Sequence, residues 1–117
     1  MENEKTEHVD FLVSGEDDGM PSVALSTRDI CLQWSGLPPG ALREMEAMIS
    51  NPCGGSRELR VGQVFGVPLY FAEREGIFSF KAVTVGAGAD LLRIDLTPAV
   101  VVGLLDTLVD VIEVWDD

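Results

Sequence analysis

Asp106, Asp110, Glu113 and Asp117 follow one another at intervals of four, three and four near the end of a 117-residue chain. At about 3.6 residues per turn, those intervals put all four carboxylates on one helical face. Acids in the last turn of a helix oppose the backbone dipole at a cost of roughly 0.3 to 1 kcal/mol each. Glu113, Asp116 and Asp117 all lie near that end. A local rule broken without structural gain is expected at a functional surface, and Trp115 within the charged rim has the character of a binding anchor. The opposing reading is a solvated face that keeps a small protein soluble. The residues expected to bind a partner are therefore Asp106, Asp110, Glu113, Trp115, Asp116 and Asp117.

The other chemistry-bearing residues form no reaction centre. His8 is the lone histidine and sits in an acidic segment, so no nucleophile acquires a base from it. The NPCGGS run around Cys53 has the composition of a helix stop followed by a loop, with Arg57 the one nearby cation. VGAGAD, residues 85 to 90, holds half of a dinucleotide fingerprint but leads into a strand, so no helix dipole would face a phosphate. Glu16-Asp17-Asp18-Gly19 lacks the alternating spacing and terminal glutamate of a calcium loop. Cys31 and Cys53 are too few for zinc or a disulfide framework and read as free thiols. Glu73 and Glu75 flank an expected hairpin tip, where water would screen them. No catalytic residue, metal site or cofactor is expected, and the chain does not read as an enzyme.

Two helices and a sheet must position the acidic face. Thr97 suits an N-cap and Pro98 the first helical position, predicting a helix over 98–115 whose apolar circumference exceeds what one sheet face covers. Helix-on-helix packing is the expected remedy, against a first helix over 39–50 or a second copy of the chain. In that first helix Leu42, Met45, Met48 and Ile49 share one side, and Pro52 with Gly54 ends the run. Alternating residues predict strands around Val9 to Val13, Val23 to Leu25 and Ile30 to Trp34. The phase slips across Ser26 to Asp29, which requires a bulge or a turn. A hairpin follows, Leu69 to Ala72 and Ile77 to Val85 around Glu73 to Gly76, with Pro68 near the start of its first strand. Asp90 to Asp95 supply one more strand. The expected architecture is α+β: an antiparallel or mixed sheet of four to six strands, with both helices on one face. Residues 1–7 read as an acidic, flexible terminus and 8–117 as a single domain.

Charge narrows the partners. The net charge is −12, with −6 in residues 1 to 18, −5 in residues 106 to 117 and −1 between them. Such ends repel nucleic acid and anionic membrane and attract a basic protein surface. With no export signal and no long apolar run, a cytoplasmic location is expected.

Two non-catalytic roles fit. One is an inhibitor or neutraliser of a basic nuclease or nucleic-acid-handling machine, similar in general character to immunity proteins, antitoxins and anti-defence proteins. The other is a homodimeric carrier. In size, acidity and mixed α/β content the chain resembles type III secretion chaperones, which implies a dimer seam on the broad apolar face of helix 98–115. That family opens with a helix, whereas residues 9 to 13 alternate as a strand.

Overall fold

Val23, Leu25, Leu32 and Trp34 are buried while the residues between them are not, so simple alternation sets the faces of the early strands. The computed structural model describes residues 9–15, 21–83 and 90–115. Its elements run β1 (Asp10–Ser14), β2 (Ser22–Ser26), β3 (Cys31–Ser35), α1 (Ala41–Ser50), β4 (Ser56–Val64), β5 (Val67–Arg74), β6 (Ile77–Val83), β7 (Asp90–Asp95) and α2 (Pro98–Trp115). The seven strands lie side by side in chain order, each antiparallel to the next. The α+β class holds, but the sheet exceeds the four to six strands expected. The phase slip supplies part of the difference. It is a turn, in which the Thr27 hydroxyl accepts hydrogen bonds from the backbone N–H groups of Asp29 and Ile30, so one apolar run becomes β2 and β3. The glycine-punctuated stretch after Cys53 holds another full strand, β4. The opening strand β1 stands where the chaperone family has a helix.

The sheet consists of two halves. Strands β1 to β3 pair along their length, as do β4 to β7, but β3 meets β4 at one paired position, Ser35 with Gln63. Gly62 permits this corner. A β-carbon there would run into the Ser35 carbonyl oxygen and the Trp34 ring, and the residue's φ is +153°. The close approach lets the Trp34 indole N–H donate to the Val61 carbonyl at 2.9 Å. Across the corner a chain of aromatic rings, Phe11 to Trp34 to Phe80 to Phe71 to Phe78, steps through centroid separations of 6.2, 5.2, 5.2 and 5.5 Å. The two half-sheets thus share one core.

The helices close that core. Leu42, Met45, Met48 and Ile49 of α1 and Val100, Leu104, Leu108 and Ile112 of α2 join the strand residues in a single buried cluster. The two helices pack on each other, α1 also against β4 and α2 against β1. This covers part of the surplus apolar surface of α2 within one chain. The first helix begins later than the expected 39–50: Gly40, at φ +79°, precedes it, and the Ala41 N–H donates to Pro38 at 3.1 Å, so Pro39 lies in a turn. Its φ suits that turn as well as a first helical position. The second helix matches its expected bounds, and the Thr97 hydroxyl accepts the Val100 N–H at 3.3 Å. Pro68 is the second residue of β5 and lies opposite Gln63.

Candidate functional site: the exposed face of the last helix

On α2 the buried positions Val100, Leu104, Leu108 and Ile112 recur every four residues and fix the helix rotation. The opposite face presents Asp106, Asp110 and Glu113, all exposed. Three of the six residues expected to bind a partner are thereby brought together. Trp115 ends the helix; its side chain, and all of Asp116 and Asp117, lie outside the described residues. Among the described residues no cation pairs with the three acids, and the last turn of α2 carries no base. Val102 and Val109, 44% and 43% exposed, share this face, and Val101 and Leu105 beside them are only partly buried. From the sequence the whole apolar circumference of this helix, these valines included, was expected to need cover from the first helix or a second copy. Their period matches the buried residues, but α1 and β1 cover only the other side of the helix.

The α2 face is held in register from its rim. The Thr107 hydroxyl shares its one proton between the Val9 carbonyl at 3.2 Å and the Gly103 carbonyl at 3.0 Å, tying the helix to the chain just before β1.

A second polar cluster corrects an expectation. Glu73 is not at a solvated hairpin tip: it lies in β5 with its side chain fully buried. The tip is Glu75-Gly76, both at positive φ. Arg57 in β4 donates to Glu73 Oε1 from Nε at 3.0 Å and from Nη2 at 2.8 Å. The Cys53 and Gly54 N–H groups donate to Oε2 at 3.0 and 3.3 Å. Burial raises the Glu73 pKa, but the hydrogen bonds from Arg57, Cys53 and Gly54 outweigh it and hold the carboxyl below its ordinary value. The bond to Glu73 correspondingly raises the pKa of Arg57. Arg57 Nη2 also donates to the carbonyls of Met48 and Asn51 at 3.2 and 2.8 Å, satisfying the end of α1. With both Glu73 oxygens and Arg57 Nε and Nη2 engaged in holding α1 and its following loop to the hairpin, the cluster is structural. The Cys53 loop belongs to it, as its composition implied. Cys31 and Cys53 are exposed free thiols.

The outer face of β4 to β7 bears one transverse row of Arg60, Tyr70, Lys81 and Arg93. Lys81 pairs with Glu58, and Arg93 with Asp95 at 3.2 Å, so part of this positive charge is offset locally. Among the described residues no cluster of His, Cys, Asp or Glu is arranged to hold a metal ion, and no helix is long and apolar enough to cross a membrane. His8, the 16–19 acidic turn and the 86–89 glycine pair lie outside the described residues. No family model, curated protein or solved structure matches the chain.

Proposed function

We propose that the protein is a non-catalytic, acidic, cytoplasmic partner-binding protein that docks the exposed face of α2 on a basic protein. The reading favoured is an inhibitor or neutraliser of the immunity, antitoxin or anti-defence type, directed at a nuclease or nucleic-acid-handling machine. One observation carries it. Asp106, Asp110 and Glu113 are exposed together on a helix whose dipole disfavours the last of them, with two exposed valines along one side of the stripe and no cation of the described chain in return. Apolar contacts within a charged surround supply affinity, and the charges supply steering and selectivity. Occlusion of a positively charged groove by such a face needs no reaction chemistry.

The alternative, a homodimeric carrier, is favoured by the same valines: Val102 and Val109, with partly buried Val101 and Leu105, offer an apolar shoulder along α2 that a second copy could cover. Sedimentation across a range of concentrations separates the two readings. A monomer whose capture of one basic protein from host lysate weakens with salt, and is lost on Asp106→Asn, Asp110→Asn and Glu113→Gln together, supports the inhibitor. A tight dimer with capture unchanged in that variant rejects it in favour of the carrier.

A further inference from the structure

The row Arg60, Tyr70, Lys81 and Arg93 crosses the outer face of β4 to β7 in successive register. Alternation along the same strands places Glu58 and Asp95, then Arg74 and Ile77, on this face as well. Half of the chain's eight bases therefore project from one surface, against two acids among its described side chains. Glu58 offsets Lys81 and Asp95 offsets Arg93, but among the described residues Arg60 and Arg74 have no acidic partner. In a chain of net charge −12 this face carries an excess of positive charge.

The exposed side of α2 is its complement. Asp106, Asp110 and Glu113 likewise have no cation opposite them among the described residues. The row spans about 14 Å at roughly 4.8 Å per strand, and the stripe about 10 Å at roughly 1.5 Å per residue. Long arginine and lysine side chains absorb the difference. Apolar groups border both surfaces: Ile77, 54% exposed, and half-buried Tyr70 on the sheet, Val102 and Val109 on the helix. The two surfaces cannot meet within one chain. The buried side of α2 enters the core, so the stripe points away from it, and the row points away from the same core beyond the sheet. Surfaces that face opposite ways join copies head to tail, a contact that admits a third copy as readily as a second.

We propose that the acidic stripe of α2 in one copy docks on the basic outer face of β4 to β7 in another. This rests on the reading of α2 as a docking face, and it names the chain itself as a partner of that face. Residues 19 to 105, which include the row, sum to −1, so the stripe approaches a nearly neutral body through its positive side. At about 0.15 M salt the screening length is about 8 Å, which damps repulsion between distant termini and leaves partly buried ion pairs in place. A stripe so occupied is closed to any other basic protein until the neighbouring copy leaves.

The test is sedimentation of the intact protein over a range of concentrations, at about 0.15 M and about 1 M salt. Two charge reversals accompany it: Arg60→Glu/Lys81→Glu/Arg93→Glu on the row, and Asp106→Lys/Asp110→Lys/Glu113→Lys on the stripe. The mean mass of the parent is expected to rise past that of a dimer at the lower salt. Association should be at least ten-fold weaker at the higher salt and in either variant alone, and should return when the two variants are mixed, because reversed stripes then meet reversed rows. Such recovery cannot come from variants that fail to fold. Assembly that stops at a dimer, association indifferent to the reversals, or a mixture no better than its components would overturn the proposal. A parent that stays monomeric yet captures a basic host protein through the stripe would overturn it and leave α2 a docking face. Loss of both would remove that reading as well.

Discussion

The Glu73 carboxylate, fully buried, receives two bonds from the Arg57 guanidinium, at 2.8 and 3.0 Å, across adjacent strands. The pair joins three segments that are separate in sequence: the end of α1, the loop carrying Cys53, and the β5–β6 hairpin. Because the Glu73 pKa is lowered in the folded protein, the unfolded chain takes up its proton at higher pH. The stability it contributes is therefore complete above the unfolded value of about 4.3 and is lost as pH falls through the lower folded value. Urea denaturation between pH 7 and pH 3 should show that loss. Glu73→Gln should cost roughly 1 to 3 kcal/mol at neutral pH, by weakening a buried charge-assisted network, and should make the acid limb shallower. An unchanged acid limb would remove Glu73 as its cause.

Charge on α2 should trade stability against binding. Glu113→Gln removes an acid from the last turn and is expected to raise stability by roughly 0.3 to 1 kcal/mol at low salt. Thermal melts at two salt concentrations check this, because the gain should shrink as salt screens the dipole. A destabilised Glu113→Gln would mean that the carboxylate has a favourable role within the folded chain.

The corner between the half-sheets tolerates no side chain at Gly62. Gly62→Ala must push the Ser35 backbone or the Trp34 ring, disturbing the indole bond to Val61. A cost of about 1 to 3 kcal/mol is expected from overpacking, with an added change in Trp34 fluorescence. Wild-type stability and an unchanged spectrum would show that the corner can open without consequence.

Local chemistry made some parts of this architecture legible in the sequence. Thr97-Pro98 marked the start of α2, and the Ser26 to Asp29 phase slip marked a break whose nature, bulge or turn, depended on how Thr27 would bond. The acidic face was legible because Asp106, Asp110 and Glu113 share a period with the helix they ride on. Glu73 was misplaced because its partner lies sixteen positions away and reaches it only through strand register. The missed signal was parity: Glu73 is in phase with buried Leu69 and Phe71, so extending β5 by two residues turns it inward. Val102 and Val109 could not be separated from core valines by period alone, since only the placement of α1 and β1 decides which side of α2 is covered.

The bond from Thr107 to the Val9 carbonyl spans 98 positions, whereas every strand pairs with its neighbour in the chain. Sheet assembly therefore needs only the closure of neighbouring connections, the longest of them carrying α1 between β3 and β4, and does not require α2. Docking of α2 is the long-range step: it covers the apolar ends of β1 and α1 and orients the acidic face at the same time. During synthesis the meander leaves the ribosome ahead of α2, with part of its apolar face still open to other chains. The acidic face of α2 thus takes its orientation only when the helix docks on β1 and α1, a step that follows synthesis of the whole meander.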